Sequence, residues 1–345
     1  MEKFYNGTKI LSMNDINGNK PELYIVSGNR SSGKTTFFSR YFIKKFINKK
    51  EKFLLLYRYN YELDNVSEKF FKEINALFFQ NYTMVEKRKN KGVYIELYLN
   101  DELCGYATSI NNADMIKKLS HLFSDVKRIL FDEFQSETNH YCDNEINKFI
   151  SIHTSIARGG GNAVRYVPVF MLSNTVSLLN PYFTNLGISS RIKKDTKFLK
   201  GNGYVFEQNM NEKVSNEQKE SGFNLAFSEH CNYISYMTEN IYMNDSLSFI
   251  EKPKGENKYL ATIKIKNCLY SIREYEELGI LYCSKSIDKT NKNKISISAS
   301  EHEVNYVMLR NNDIFIQSLR YYFEQGCFRF EDISCKDAII NLLSY

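Results

Sequence analysis

The segment at residues 28–35 constrains this chain more than any other part of it. It reads Gly-Asn-Arg-Ser-Ser-Gly-Lys-Thr and matches the phosphate-loop pattern G-x-x-x-x-G-K-[ST] at every fixed position. An apolar run at residues 23–26 precedes it, and apolar residues with helical spacing follow it at residues 36–47. In such a strand–loop–helix unit, backbone N–H groups surround phosphate oxygens and the helix N-terminus adds partial positive charge. The pattern therefore predicts an α/β domain that binds a nucleoside triphosphate.

The residues of the loop have separate predicted roles. Lys34 would contact the β- and γ-phosphates of ATP and so take part in catalysis, and the Thr35 hydroxyl would ligate the accompanying Mg²⁺ ion. Both belong to the predicted nucleotide-binding set, whose other members are Gly28, Asn29, Arg30, Ser31, Ser32, Gly33 and Thr36. The predicted cofactors are therefore ATP and Mg²⁺.

A second apolar strand, within residues 126–134, carries Asp132-Glu133 near its end. Together with the phosphate loop, this pair predicts the other half of the site. Asp132 would hold Mg²⁺, directly or through water, and Glu133 would polarise the attacking water. P-loop kinases and GTPases usually lack a glutamate at that position. Glu133 therefore favours ATP hydrolysis for mechanical work over phosphoryl transfer to a small acceptor.

Arg158 follows a predicted helix at residues 145–156 and precedes three glycines at residues 159–161. The residues themselves leave two interpretations open. In ring ATPases, an arginine on such a loop enters the neighbouring subunit's site and stabilises the charge that develops on the γ-phosphate. Alternatively, an arginine at a helix C-terminus complements the helix dipole.

A third predicted strand, at residues 167–172, runs into Ser173-Asn174-Thr175. If this strand lies beside the Asp-Glu strand, a polar side chain at its end can respond to the γ-phosphate and relay its loss. Asn174 is the predicted sensor.

The positive charge of the chain is concentrated in the part that carries these motifs. The formal net charge is +6, and residues 1–209 contain 30 Lys and Arg against 21 Asp and Glu, whereas residues 244–345 contain 14 of each. The excess can therefore meet a polyanion such as DNA. Arg58, at the end of a predicted strand, is a candidate phosphate or DNA contact, and the basic hairpin tip at residues 87–91 is a candidate DNA-facing loop. Solvated surface charge is the alternative for both.

The cysteines and the apolar runs indicate the cellular compartment in which the protein works. The seven cysteines include no C-x-x-C pair, which favours reduced thiols in a cytosol over disulfides or a zinc site. No segment resembles a signal peptide, and no apolar run approaches the ~18 residues that a membrane span needs. We therefore expect a cytoplasmic protein without a membrane partner.

Changes of pattern divide the chain into three predicted parts. Residues 1–209 form the P-loop ATPase domain, and residues 210–243, which are polar, net acidic and poor in periodicity, form a linker. Residues 244–345 show strand patterns first and helical patterns later, which predicts a smaller α+β domain.

These motifs resemble those of the DNA-packaging ATPases of small podophages, the picovirus type, which are cousins of the large terminase subunits. The resemblance is carried by the phosphate loop, by Arg58-Tyr59 and by Leu-Phe-Asp-Glu-Phe at residues 130–134. Its most distinctive part is Leu172-Ser173-Asn174, followed by Val176 and by Asn-Pro-Tyr-Phe at residues 180–183. The order of parts agrees along essentially the whole chain, although the motifs are few after the first domain.

The resemblance implies an ASCE-type P-loop domain with a central, mostly parallel sheet. It implies a ring, of five subunits, that stands on the capsid portal in the host cytoplasm and translocates double-stranded DNA into the procapsid. Arg158 falls where this family has its trans-acting arginine. Asn60 stands where the best-known relative has a lysine just after the Arg-Tyr pair, so the resemblance does not imply a DNA contact at this position. The sequence itself leaves open the ring size and whether a structural RNA bridges the motor and the portal.

The resemblance also implies that residues 244–345 form an RNase H-like domain that has lost its nuclease. Large terminases hold two metal ions there with clustered carboxylates. The first core strand, at residues 259–267, offers Lys264 and Lys266 instead of an acid. These lysines, with Lys252, Lys254 and Lys258, suit a phosphate backbone, and ordinary solvated lysines are the alternative. We expect no nuclease activity.

Two other classes of enzyme share the phosphate loop. A P-loop kinase would need a lid and an acceptor pocket, and Glu133 favours hydrolysis instead. A helicase-like or other nucleic-acid-dependent ATPase has the same core, so it is the closest alternative function. Separation of the strands of naked duplex DNA would distinguish a helicase from a packaging motor.

Overall fold

The structure is a computed structural model that describes residues 4–138, 140–158, 164–178, 180–189, 191–192, 196–209, 211–227, 249–265, 268–296, 301–310 and 313–344. The chain divides into two units. The first comprises Met1–Tyr182 and Ile192–Asn244, and the second comprises Phe183–Arg191 and Asp245–Tyr345. Each unit has its own hydrophobic core.

The first unit is built on one large sheet. Its described strands are β1 (Leu23–Gly28), β2 (Lys52–Tyr57), β3 (Met84–Lys89), β4 (Tyr94–Leu99), β5 (Glu102–Ser109), β6 (Val126–Asp132), β7 (Val169–Asn174), β8 (Phe198–Gly201) and β9 (Tyr204–Asn209). They lie in the order β3-β4-β5-β2-β6-β7-β1-β9-β8. The strands from β5 to β9 in this order are parallel, and β4 and β8 join their edges antiparallel. The predicted central, mostly parallel sheet is confirmed.

The described helices of this part of the chain are mostly connections between strands. They are α1 (Thr8–Ser12), α2 (Lys34–Lys49), α3 (Val66–Phe78), α4 (Ala113–Lys118), α5 (Glu145–Ile156), α6 (Pro181–Leu186), α7 (Glu212–Lys219) and α8 (Gly222–Phe227). None of the described helices of the chain is both long and apolar enough to cross a membrane.

One face of α2 fixes the position of the phosphate loop. Phe38, Phe42 and Phe46 recur every four residues and are buried, and burying each such ring stabilises the fold by about 1.5–3 kcal/mol. The Phe42 ring lies 5.8 Å from that of Phe53 in β2 and 5.3 Å from that of Phe170 in β7. Because the helix packs across these strands, its N-terminus is held at the carboxyl edge of the sheet.

The strand order decides which motifs meet. β7 lies between β1 and β6, so the strand that ends in Asn174 separates the phosphate-loop strand from the strand that ends in Asp132. This insertion is the ASCE-type arrangement. Since parallel strands present their carboxyl ends at one edge, all three motifs converge there.

The second unit contains a smaller sheet. Its described strands are β10 (Lys258–Ile265), β11 (Cys268–Tyr275), β12 (Ile280–Ser284), β13 (Lys294–Ser296), β14 (Val307–Met308) and β15 (Phe328–Phe330), and its helices include α9 (Ile314–Glu324) and α10 (Ile333–Ser344). β10, β11 and β12 form an antiparallel meander, while β13 joins β10 and β14 joins β13 in parallel. β15 joins the other edge next to β12, also in parallel, so the strand order is β14-β13-β10-β11-β12-β15. The predicted smaller α+β domain is confirmed.

The hairpin of β8 and β9 was not predicted from the sequence. The pattern of residues 191–200 indicates only a diffuse basic stretch. In the structure, β9 runs parallel to β1 on the side opposite β7, in register from Leu23 with Tyr204 to Gly28 with Asn209. Within the interval predicted as a linker, the described residues 211–227 form α7 and α8.

Candidate nucleotide-binding and catalytic site

A cavity of about 900 Å³ lies at the carboxyl ends of β6 and β7, beside the phosphate loop. Its wall brings together the start of α2, the strand ends, the N-terminal arm and the end of α3. From the residues predicted for the site, it contains Ser31, Ser32, Gly33, Lys34, Thr35, Thr36, Asp132, Glu133 and Asn174. The motifs that are far apart in the sequence therefore share one cavity.

The first three residues of the loop, Gly28, Asn29 and Arg30, do not line this cavity. A Cβ on Gly28 would lie 2.1 Å from the Asn209 backbone oxygen, so only glycine fits there. The Asn29 side chain exchanges two hydrogen bonds with the Asn211 backbone, at 3.2 and 3.0 Å. These contacts anchor the loop to the end of β9, so Gly28 and Asn29 shape the cradle rather than line it.

Lys34 is buried under the loop that precedes it. Its Nζ donates to the backbone oxygens of Gly28 at 3.2 Å and Asn29 at 2.8 Å, and to Ser32 Oγ at 3.2 Å. Burial lowers the pKa of Lys34 to about 8, against the opposing attraction of Asp132. The cation is thus held at the loop in an environment that disfavours its charge, and an anionic ligand would relieve that cost.

This pKa leads to a prediction about pH. If ATP binds the protonated form of Lys34, affinity should fall as the pH rises above about 8, by up to about tenfold per pH unit. Titration of the purified chain with ATP between pH 7 and pH 10 measures it. Lys34→Arg, whose guanidinium keeps its proton, should bind with little pH dependence. A wild-type affinity that is constant over this range would contradict the prediction.

Thr35 and Asp132 form a candidate magnesium site. The Thr35 hydroxyl donates a hydrogen bond to the Asp132 carboxylate, and so does the backbone N–H of Glu133, at 2.9 Å. Burial raises the pKa of Asp132, while both hydrogen bonds and Lys34 favour its charged form. A hydroxyl and a carboxylate beside a phosphate site are the hard oxygen ligands that Mg²⁺ prefers, so these two residues fit the ion.

Glu133 follows directly, in a left-handed backbone conformation with φ of 54°. This conformation is unusual for a residue other than glycine and is retained where surrounding contacts impose it. Burial, then the neighbouring carboxylates of Asp132, Glu137 and Glu62, raise the pKa of Glu133. A carboxylate with a raised pKa is a stronger base towards a water molecule.

Arg58 supplies contacts that hold this backbone. Its guanidinium donates to the backbone oxygens of Glu133 at 3.2 Å and Phe134 at 2.5 Å. Arg58 is only 5% exposed and pairs with the equally buried Glu145, which also accepts a hydrogen bond from the Tyr182 hydroxyl at 2.6 Å. Both earlier interpretations of Arg58, as a phosphate or DNA contact or as a solvated arginine, are therefore wrong. The sequence does not indicate its partner, which is 87 residues away.

Asn174 lies in the cavity wall next to a glutamate that sequence reasoning missed. Its Nδ2 donates to Glu137 at 3.2 Å, and the Arg30 guanidinium lies 3.7 Å from the same carboxylate. Buried Gln135 donates to Ser173 Oγ at 3.0 Å, and its side-chain oxygen accepts from the backbone N–H of Ser177 at 2.9 Å. The segment after Glu133 is thus bonded to the end of β7. The only signal in the sequence for Gln135 and Glu137 was that they follow the Asp-Glu pair.

Arg158 is exposed and is not part of the cavity wall. It follows α5, which spans Glu145–Ile156 and is roughly 18 Å long at 1.5 Å per residue. The N-terminus of α5 lies near Glu133, because Glu145 pairs with Arg58. The helix therefore carries Arg158 away from the catalytic residues of its own chain.

Arg165 shows where the C-terminus of α5 lies. Its guanidinium donates to the backbone oxygens of Ile156 at 2.6 Å and Val126 at 3.1 Å. Val126 is the first residue of β6, whereas Asp132 is the last. Arg158 therefore stands at the edge of the sheet opposite its own site. The glycines at residues 159–161 lie outside the described residues.

The basic hairpin tip between β3 and β4 is exposed but partly neutralised. Arg88 pairs with Asp64, Lys89 pairs with Glu96 at 3.3 Å, and Lys87 lies over the Tyr98 ring at 4.2 Å. Exposed ion pairs contribute about 0–1 kcal/mol, so these side chains can exchange their partners for phosphates at little cost.

The structure describes four of the five lysines of the second unit that were predicted to suit a phosphate backbone, and one of these four is paired. Lys264 pairs with Glu303 at 2.9 Å, and Lys266 lies outside the described residues. Lys252, Lys254 and Lys258 are exposed. Among the described residues of the chain, no group of three or more His, Cys, Asp or Glu side chains is placed to hold a metal ion.

The strand order and the convergence of Lys34, Asp132, Glu133 and Asn174 define the first unit as an ASCE-type P-loop NTPase domain. A smaller α+β unit follows it in the chain. Comparison with known proteins finds a match that spans nearly the whole chain. Residues 1–344 match the family model described as podovirus DNA encapsidation protein (Gp16). The chain belongs to this family, and the resemblance predicted from its motifs is confirmed, as is a role in DNA packaging.

Individual relatives cover nearly the same length. The DNA packaging protein of Bacillus phage phi29 is 26% identical over 333 residues, which is 95% of this chain and 93% of that protein. A chain of the bacteriophage phi29 viral genome packaging motor assembly has a TM-score of 0.75 at 22% identity, with 99% of each chain covered. A chain of the Phi-28 gp11 DNA packaging motor has a TM-score of 0.61 at 16% identity. These two structures are similar in fold.

Proposed function

We propose that this protein is the ATP-hydrolysing subunit of a motor that moves double-stranded viral DNA into a procapsid. The observation that carries the proposal is the single cavity that holds Lys34, Asp132, Glu133 and Asn174. Membership of a DNA encapsidation family supports the substrate, and the names of the relatives, a DNA packaging protein and a packaging motor assembly, support the motor.

The residues divide the work of hydrolysis among them. Lys34 binds the β- and γ-phosphates, and Thr35 and Asp132 would hold the Mg²⁺ ion, which neutralises phosphate charge when bound. Glu133 accepts a proton from the attacking water, and its raised pKa suits it to that task. Asn174 responds to the γ-phosphate. Its bond to Glu137 gives it an alternative partner when that phosphate leaves.

The proposal includes a ring of subunits. Arg158 stands at the edge of the sheet opposite the site of its own chain, so it can stabilise the transition state only in a neighbour's site. This arrangement favours the trans-acting role over the helix-dipole role, and it requires an oligomer. Five subunits on the capsid portal is the number that the resemblance implies.

The DNA contacts and the second unit complete the proposal. The exposed hairpin tip that carries Lys87, Arg88, Lys89 and Lys91 is the proposed DNA contact of the first unit. The RNase H-like unit docks the motor on the portal or on a structural RNA, with Lys252, Lys254 and Lys258 as its basic residues. It is not expected to cut DNA, because two-metal cleavage needs several converging carboxylates.

One set of assays on the purified chain tests this function. ATP hydrolysis should rise when double-stranded DNA and empty procapsids are both present, more than with single-stranded DNA. Naked duplex should not be separated into strands, and plasmid incubated with Mn²⁺ should stay intact. Strand separation would favour the helicase-like alternative, and Mn²⁺-dependent cleavage would contradict the docking role of the second unit.

A further inference from the structure

The position of Arg158 raises the question of what holds its backbone in place. The side chain is exposed, and in the sequence it is followed by three glycines, which have no side chains that could fix it. An arginine that enters a neighbour's site must nevertheless be placed accurately, because a shift of about 1 Å can cost 10²-fold in rate. The contacts that place it must therefore come from another part of the same chain.

Arg165 binds the end of the helix that carries Arg158. Its guanidinium donates to the backbone oxygen of Ile156, the last residue of α5, at 2.6 Å, and to that of Arg158 itself at 3.4 Å. The last carbonyls of a helix have no partner within the helix, and a cation beside them is favoured by the helix dipole. Arg165 thus makes the helix-end contact that the sequence left open for Arg158.

The same guanidinium also contacts the central sheet. It donates to the backbone oxygen of Val126, the first residue of β6, at 3.1 Å. β6 lies between β2 and β7 and is paired with both, so its start is a rigid anchor. Because the guanidinium is planar and presents five N–H donors in a fixed arrangement, one side chain ties the end of α5 to this strand.

The backbone around Arg165 is fixed as well. Its own N–H donates to the Ala157 backbone oxygen at 2.7 Å, so Arg165 lies directly beside the residue that precedes Arg158. The next residue, Tyr166, donates from its hydroxyl to the Pro21 backbone oxygen, just before β1, at 2.9 Å. Arg165 is therefore held by the sheet from its own side, and it passes that constraint on to the backbone at Arg158.

We propose that Arg165 is the positioning residue of the trans-acting arginine. It fixes the backbone of Arg158 to the start of β6, so that the Arg158 side chain reaches the neighbouring subunit's γ-phosphate from a defined point. Arg165 itself touches neither nucleotide nor water. The inference rests on the proposed function, which assigns Arg158 to a neighbour's site, and it adds the residue on which that assignment depends.

Arg165→Ala is expected to lower ATP turnover roughly 10–100-fold, the cost of a misplaced catalytic group. ATP binding should stay at the wild-type level, because the cavity lies at the opposite edge of the sheet. Steady-state hydrolysis with double-stranded DNA and equilibrium ATP binding measure the two effects. Arg320→Ala is the matched control, since Arg320 is also partly buried and donates to a backbone oxygen near the end of a helix, that of Leu343 in α10, at 3.0 Å. It should hydrolyse ATP normally.

Mixed rings distinguish positioning of Arg158 from a general structural role. Arg165→Ala subunits mixed with Lys34→Ala subunits should exceed both parents in turnover, because the first supply an intact cavity and the second supply a well-placed Arg158. Arg165→Ala mixed with Arg158→Ala should not exceed its parents, because neither variant supplies a well-placed Arg158. A residue that only stabilised its own subunit would not produce this pattern.

The outcomes separate this inference from the proposed function. Wild-type turnover in Arg165→Ala would overturn the inference, and so would recovery with Arg158→Ala but not with Lys34→Ala, since Arg165 would then serve its own cavity. If Arg165→Ala does not fold, Arg165→Lys, which keeps the charge but lacks the planar fork, is judged by the same mixtures. Recovery of Arg158→Ala but not of the Arg165 variant with Lys34→Ala would overturn this inference alone. Failure of Arg158→Ala to recover with Lys34→Ala would contradict the trans-acting role, and the positioning role with it.

Discussion

Glu133→Gln is expected to lose ATP turnover by about 10²–10⁴-fold, the usual contribution of a positioned general base, while it retains ATP binding. The amide has nearly the same shape as the carboxylate, so the hydrogen bonds from Arg58 to the backbone of residues 133 and 134 should persist. Only the ability to accept a proton from water is removed. Single-turnover hydrolysis and equilibrium ATP binding, measured on the same preparation, separate the two effects.

The matched control for this variant is Glu102→Gln. Glu102 is an exposed glutamate at the start of β5 that pairs with Lys50, away from the cavity wall. The same chemical change there should leave turnover unchanged. If Glu133→Gln hydrolyses ATP at close to the wild-type rate in the presence of DNA, Glu133 is not the base.

Arg158→Ala is expected to lose roughly 10³–10⁵-fold in turnover, the range known for arginine fingers, with ATP binding unchanged. The reason is the position of Arg158, which is exposed at the edge of the sheet opposite its own cavity. In rings that mix Arg158→Ala with Lys34→Ala subunits, some hydrolysis should return, because one variant supplies the intact cavity and the other supplies the arginine. Steady-state ATPase assays over a range of mixing ratios measure this.

Lys117→Ala, which removes an exposed cation of α4, is the control for loss of charge alone and should hydrolyse ATP normally. The mixed rings must be shown to contain both variants, for example by copurification through a tag on one of them. Activity no higher than that of either parent, in rings proven to be mixed, would contradict a trans-acting Arg158.

Several elements of the site were predictable because their signals are local. The phosphate loop, the strand that ends in Asp132 and the helix at residues 145–156 each follow from residue spacing within one segment. The structure begins α5 at Glu145 and ends it at Ile156, as the apolar spacing predicts. Convergence of the strand ends followed from the single rule that parallel strands present their carboxyl ends at one edge.

The missed features depend on pairings between distant residues. Nothing near Arg58 in the sequence indicates that it will pair with Glu145 and bond to the backbone behind Glu133. Strand β9 carries only six residues, and its place beside β1 is set by backbone pairing with that strand. Phe78 reads in the sequence as one more apolar residue of a helix, and only the tertiary structure places it in the cavity wall.

The central claim is that ATP hydrolysis in this cavity drives DNA into a procapsid. Its most direct test is a packaging reaction with cognate procapsids, in which DNA that has entered the shell is counted by its protection from added nuclease. Wild-type protein with ATP should protect full-length DNA, and Glu133→Gln, which still binds ATP, should protect none. Equal protection by the two proteins would contradict the account, because packaging would then not need the hydrolysis that this site is proposed to perform.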